Sequence, residues 1–322
     1  MNKTPKLFIL AGAVLASLFL FVSIVYNNFV QKSIYEENSR HLLSTYEQVD
    51  KTFTMFVQYN WNALSDWSNN LQYLDDTENM KTLWYEFTRR KDAWQYQDFY
   101  MFNENCDFIT AAGRDGNAPN IQGIFLDMYA TGQPVISSYI ASDSNRRIVF
   151  ALPMDVPYTI NGITYSGLAV SYNNDVVEKL IAGNIYQGQS DCYILTSDGN
   201  VLLSLEPKTE FLQKISNLFD FLNKYTNMTE TEITDLKKNI KNVSTGSLQC
   251  RYNNKNYYLV YEPTGINDWT IVGIIHDDVV DASMRRIQSI TIVLLLILNG
   301  CIALLLTGTV FALMDSRLRM KE

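Results

Sequence analysis

Two uncharged apolar segments lie near opposite ends of the sequence, and they constrain whatever folds between them. Leu7–Tyr26 (LFILAGAVLASLFLFVSIVY) carries no charge, and about 20 such residues cross a hydrocarbon core. Ile287–Leu313 is also uncharged and has length enough to tilt. The first segment outruns the apolar region of a signal peptide, and its small residues Ala11–Ala16 sit inside the run instead of after it, so it reads as an uncleaved anchor. Lys3 and Lys6 precede it; Arg317, Arg319 and Lys321 outnumber Asp315 and Glu322 beyond the second. Basic flanks stay cytoplasmic, and the opposing Arg285 and Arg286 weigh less because long domains translocate largely regardless of charge. The expectation is a multi-pass protein of the cell membrane, with transmembrane helices at 7–26 and 287–313, cytoplasmic tails at 1–6 and 314–322, and an extracytoplasmic middle.

Of 26 basic and 34 acidic residues, five and two lie in those tails, leaving a net −11 between the spans. That balance argues against a nucleic-acid partner. Cys106, Cys192, Cys250 and Cys301 show no paired spacing, and the last is inside a span, so a disulfide framework is not expected. His41 and His276 stand alone, which removes a zinc site. The Gln-Ser and Ser-Thr-Gly-Ser stretches at 189–190 and 244–247 lack a nucleophile elbow, and no glycine spacing matches a phosphate or dinucleotide loop. No cofactor, metal or catalytic site is expected within residues 1–322. Asp98, Asp107, Asp277 and Asp278 read as caps at turns and helix starts.

Neither glycine nor proline occurs between Ala13 and Ala112, which predicts helix over much of that stretch. Leu42, Tyr46, Val49, Phe53, Phe56, Leu64, Trp67, Leu71 and Leu74 step by threes and fours, with Asn60 filling the gap. Residues 27–74 are thus expected to extend the first span as one helix reaching about 60–70 Å from the membrane. Its stripe is a packing face against the domain; another face suits pairing in a homodimer.

After Gly113 the pattern changes to short alternating runs. Residues 134–142, 146–154 and 163–173 read as strands, the last two joined by Asn161-Gly162. The chain also repeats itself. DFYMFNENCDFITAAG (98–113) matches DCYILTSDGNVLLSLE (191–206), and GLAVSYNNDVV (167–177) matches TIVGIIHDDVV (270–280). The second copy is longer, and FLQKISNLFDFLNKYTN and TETEITDLKKNIKNV supply extra helix. Each copy predicts an α+β module with a five-stranded antiparallel sheet.

This order of elements, together with Phe150-Ala-Leu-Pro153, Gly167-Leu-Ala-Val-Ser-Tyr-Asn-Asn174, Tyr193-x-x-x-x-Asp198-Gly199 and Tyr258-Leu-Val-Tyr-Glu-Pro263 through Asp268-Trp269, resembles the double Cache (PAS-like) extracytoplasmic sensor domain. The resemblance covers roughly residues 30–285. It is to the sensor regions of bacterial membrane histidine kinases and diguanylate cyclases. It implies a membrane-distal module at 75–185 that binds a small molecule and a proximal module at 186–286. Only nine residues follow Leu313, so the expected function is a sensor whose cytoplasmic output domain lies outside this sequence. The alternatives are the sensor part of a diguanylate cyclase or sensor histidine kinase, or an extracellular binding protein with no output.

A small-molecule site is an apolar concavity with a few convergent polar groups. Trp94, Tyr96, Tyr100, Ser137, Tyr139, Phe150, Ser171 and Asn173 are the candidates. On the last strand of the first copy Gly167, Ala169 and Ser171 share a small face, while Leu168, Val170 and Tyr172 share a large one, which favours Ser171 over Tyr172 as a ligand contact. The amino-acid-binding branch of the family carries an Arg-x-Trp-Tyr cluster and an aspartate on the last strand. This chain has RDGNAPNIQGIFLDMY after Gly113 and Ser171 in place of the aspartate, which argues against a free amino acid as ligand.

Overall fold

The computed structural model describes residues 4–71, 85, 88–89, 95–110, 113–118, 122–141, 145–182, 185–204 and 215–319; within these, the side chains of 4–16, 18–20, 180, 182, 187–188, 282–288, 306 and 309–319 are outside the description. Helix α1 (Thr4–Leu71) is unbroken, as a stretch free of glycine and proline after Ala13 allows. Eleven strands follow: β1 (Asp98–Phe102), β2 (Asp107–Thr110), β3 (Asp115–Asn117), β4 (Val135–Ile140), β5 (Arg146–Ile160), β6 (Ile163–Asn173), β7 (Ser190–Leu195), β8 (Val201–Ser204), β9 (Gly246–Tyr252), β10 (Lys255–Pro263) and β11 (Thr270–His276). Helices α2 (Gln122–Thr131), α3 (Asn174–Ala182), α4 (Leu218–Tyr225), α5 (Glu230–Lys241) and α6 (Asp277–Arg319) complete the order.

The strands form two antiparallel sheets, ordered β3-β2-β1-β6-β5-β4 and β8-β7-β11-β10-β9. Without β3 the two orders correspond strand for strand, in agreement with the sequence repeat. The first sheet therefore has six strands where the sequence predicted five. The difference is β3, whose Asp-Gly-Asn is fully exposed and carries no apolar signal; it pairs with β2 through Asp107↔Asn117 to Ile109↔Asp115. Asn161 and Gly162 turn the β5–β6 hairpin with φ of 51° and 83°, values that an Asn-Gly pair adopts with little strain.

The chain forms two compact units: the N-terminal part of α1 up to His41 together with α6, and Leu42–His276. In the first, Asn38 Nδ2 donates to Asp281 Oδ1 at 2.6 Å. Among the described residues no helix is long and apolar enough to cross a membrane. The segments expected to do so, 7–26 and 287–313, lie in part outside them, since the side chains of 7–16, 18–20, 287–288, 306 and 309–313 are not described.

In the second unit α1 buries Leu42, Tyr46, Val49, Phe53, Val57, Asn60, Leu64, Ser68 and Leu71, steps of three and four that keep one stripe inward. This helix covers one face of both sheets. On the first, Phe56 meets Phe150 and Tyr172 edge-on at 5.4 and 5.2 Å, and Tyr172 Oη donates to Asn60 Oδ1 at 2.8 Å. On the second, Phe53 stacks on Trp269, and Tyr46 lies so close over Gly273 that a Cβ there would overlap its ring. The opposite faces are covered locally. Phe125 and Met128 of α2 pack on Phe102, Val149 and Ala151, and α4 and α5 bury Leu218, Phe219, Leu222, Ile233, Leu236 and Ile240 on Tyr193, Leu259, Val272 and Ile274. Helix α5 begins in a capping box, Thr229 with Glu232, which satisfies two end N–H groups.

Candidate ligand site

Strand alternation sorts the side chains of the first sheet. Register pairs Phe150 with Val170 and Ile148 with Tyr172, so these look towards α1. The intervening residues Arg147, Val149 and Ala151 on β5, Ala169 and Ser171 on β6, and Asp98 and Tyr100 on β1 look the other way. On that second side a cavity of about 310 Å³ opens between β1, β2, β4 and β5, lined by Asp98, Tyr100, Phe108, Thr110, Arg114, Asp115, Ala118, Tyr139, Ala141 and Arg147.

The charged floor is a triad. Arg114 Nη2 donates to Asp98 Oδ1 at 2.9 Å, and Arg147 Nη1 donates to Asp98 Oδ2 at 3.2 Å. Asp98 and Arg147 are shielded, with side chains 16% and 14% exposed, whereas Arg114 at 68% stands at the mouth. Asp98 is thus a buried anchor for two guanidiniums and not the cap expected from the sequence. Its partner Arg114 is held at the backbone, where its N–H donates to Thr110 Oγ1 at 3.0 Å and its carbonyl accepts from Thr110 N at 2.7 Å.

Deeper in, Tyr100 Oη and Ser171 Oγ are buried without a hydrogen-bond partner among the described residues. The hydroxyls of Tyr139 and Ser171 flank Tyr100 Oη, but neither meets it in hydrogen-bonding geometry. Burial is the chief cause that pushes the Tyr100 phenol well above its ordinary pKa, so it stays a neutral donor. Buried hydroxyls without partners are costly and uncommon; here two stand together beside an open volume.

Of the residues expected from sequence, Tyr100 and Tyr139 line the cavity, and Ser171 sits on its face next to Tyr100. Ser137 pairs with Val149 and shares that face, though it is not part of the lining. Asn173 lies on the same face at the strand end, where its Nδ2 donates to Gln97 Oε1 at 2.9 Å. Phe150 and Tyr96 are on the α1 side: Phe150 packs on Phe56 and Tyr172, and Tyr96 borders a small void with Asn60, Leu64 and Trp67. Trp94 lies outside the described residues. Sequence reasoning missed Asp98, Phe108, Thr110, Arg114 and Arg147. A usable signal existed for Arg147, because alternation carried from β6 across to β5 turns it to the small-residue face and turns Phe150 away.

No protein-family model matches the sequence, and no curated protein matches it. Solved structures do. The sensory domain of the Campylobacter jejuni chemoreceptor Tlp3 with isoleucine bound aligns at a TM-score of 0.52 and 11% identity, covering 79% of this chain and 98% of that one. The same domain in complex with L-norvaline aligns at 0.52 and 13%, covering 79% and 96%. The extracellular domain of mmHK1S-Z3, described as a histidine kinase, aligns at 0.51 and 14%, covering 80% and 97%. The fold is a double Cache fold. In such folds function resides in the site, not in the architecture, so the double Cache likeness leaves the ligand to be argued from the cavity itself.

Proposed function

We propose that the chain is the sensing part of a membrane receptor, which binds a small molecule in the cavity of its first sheet and passes the event through the membrane to an output domain outside this sequence. The observation that carries this reading is the cavity, with its ion triad and its two buried hydroxyls without partners, on a sheet that belongs to a double Cache fold. The apolar segments at 7–26 and 287–313 serve as the two spans, with residues 75–185 as the distal module and 186–286 as the proximal one. The protein resides in the cell membrane with its middle outside and its termini in the cytoplasm. A homodimer along α1 completes the receptor; Met55 and Tyr59, one turn apart, are 71% and 53% exposed, as a pairing seam requires.

Strand β11 ends at His276 and α6 begins at Asp277, so no loop residue separates the last strand from the second span. A shift in that strand is passed on instead of being absorbed. Such a receptor works only if the ligand favours one arrangement over another. The test is a thermal-shift screen of the full chain in detergent against a metabolite library, because a ligand that prefers the folded form raises the melting point. A hit whose effect disappears in Tyr100→Phe or Ser171→Ala supports the cavity. A hit indifferent to both, and to Arg147→Gln, refutes it.

A further inference from the structure

We infer that this cavity selects a small carboxylate with an apolar body over the zwitterionic amino acid of the same skeleton, an assignment that rests on the cavity being the ligand site. Beside Asp98 stand two guanidiniums, Arg114 and Arg147, while Asp115 lines the cavity from the exposed strand β3. A guanidinium at the mouth of a partly desolvated recess favours an anion.

The way Asp98 is used decides against an ammonium. Each of its oxygens already accepts from a guanidinium, Oδ1 from Arg114 and Oδ2 from Arg147. An α-ammonium group placed there would have to share the lone pairs that remain and stand beside both guanidinium cations. A carboxylate meets no such conflict. Among the described residues the Arg114 guanidinium makes one hydrogen bond, to Asp98, which leaves most of its five-donor fork for bidentate binding at the mouth. Tyr100 Oη, on a residue 94% buried, supplies a neutral donor within the cavity. The rings of Phe108 and Tyr139 form apolar walls, and about 310 Å³ accommodates a compact molecule.

The test uses the full chain in nanodiscs and three matched probe sets: straight and branched monocarboxylates of two to six carbons, the corresponding α-amino acids, and the corresponding amines without a carboxyl group. Affinity is read by calorimetry, and location by amide exchange of residues 98–102 and 147–151. At least one monocarboxylate is expected to bind ten times or more tightly than its α-amino acid, with no measurable binding by its amine and with protection of both segments. Arg114→Gln, an exposed change that leaves the fold intact, is expected to remove that preference, and Arg114→Lys to restore part of it. Tighter binding by the amino acid or the amine, with the same segments protected, overturns the ligand class while the cavity stands as the site. Binding that protects neither segment, or no binding by any probe, overturns the carboxylate assignment, and in the first of these cases the site reading falls with it.

Discussion

The seat of α1 on the second sheet turns on one missing methyl group. Gly273 lies mid-strand on β11, opposite Cys192 and Val260, directly beneath the Tyr46 ring; an ideal Cβ at that position would overlap Tyr46 Cζ and Oη. Tyr46 is fully buried and stands on a helix that also grips the first sheet, so its ring has nowhere to go. Gly273→Ala is therefore an overpacking change of the severe kind, expected to cost about 2–3 kcal/mol. For a unit of this size that lowers Tm by roughly 4–10 °C. In a Tyr46→Leu background the obstruction is gone, and the alanine should be nearly neutral, since alanine in a strand is less costly than glycine. Tyr46→Phe keeps the ring carbon and should keep most of the penalty. The four-way cycle of wild type, Gly273→Ala, Tyr46→Leu and the double variant, followed by thermal and urea unfolding, isolates the coupling. A Gly273→Ala penalty of the same size with and without Tyr46→Leu would refute the close-approach account.

Three further outcomes follow from the same contacts. Tyr172→Phe strands the Asn60 amide oxygen in a buried site and should destabilise by about 1–3 kcal/mol; adding Asn60→Leu should recover part of this in urea unfolding, because both polar partners are then gone. Burial chiefly raises Asp50 to about 6 and Glu262 to about 7, with their mutual repulsion contributing at Glu262. The folded chain then holds protons that the unfolded chain has released, so stability is fullest below about pH 4 and falls as pH rises to about 7; after allowance for solvent screening the loss is about 1 kcal/mol per group, and Glu262→Gln should flatten the upper part of the Tm profile. Arg146 Nη1 donates to Val201 O at 2.8 Å, so Arg146→Ala should speed amide exchange over residues 201–204 while the affinity of any cavity ligand stays within about twofold, a separation that fails if Arg146 serves the cavity itself.

Elements whose side chains alternate between two environments were readable from sequence. The β10–β11 hairpin and β6, whose limits match the expected 163–173, show that pattern strongly. Strand β5 was expected to stop at Met154; instead it continues to Ile160 through a register shift between Pro153 and Tyr158, where a bulge relieves proline of a ladder hydrogen bond. Strand β3 was invisible because polar contacts hold it: Asn117 Nδ2 donates to Asp107 Oδ1 and Asn105 O. The helical stripe was legible except at Val57 and Ser68, buried beside the half-buried Phe56 and Trp67, and Leu74 lies outside the described residues. Of the aromatic candidates, Phe150 and Tyr96 lie on the α1 side of the sheet instead of at the cavity. Rings such as Phe150 are also what a helix-facing core needs, while the charged groups of the cavity come from Asp98, Arg114 and Arg147, three positions far apart in sequence that only sheet register brings together.

The repeat itself explains why one sheet has a cavity on the face where the other is packed solid. Aligning 167–177 with 270–280 places Gly167, Ala169 and Ser171 opposite Thr270, Val272 and Ile274, and the register agrees, since Ser171 pairs with Asp98 while Ile274 pairs with Asp191. In the second sheet Val272 and Ile274 fill the face and meet α4 and α5; in the first, the Phe102 ring occupies the space over Gly167 and Ala169 joins the core under α2, while the Ser171 hydroxymethyl lies beside Tyr100. The two copies thus share a strand order and differ in side-chain volume on one face. Ser171→Ile transfers the larger side chain to the first sheet. It should abolish the Tm rise given by a cavity ligand, and because Ser171 is fully buried the added bulk is expected to cost about 1–3 kcal/mol through overpacking. The reciprocal Ile274→Ser removes volume from a full core and should cost about 2–5 kcal/mol. If Ser171→Ile keeps its ligand response, this face of the first sheet is not where the ligand sits, however well the two sheets correspond.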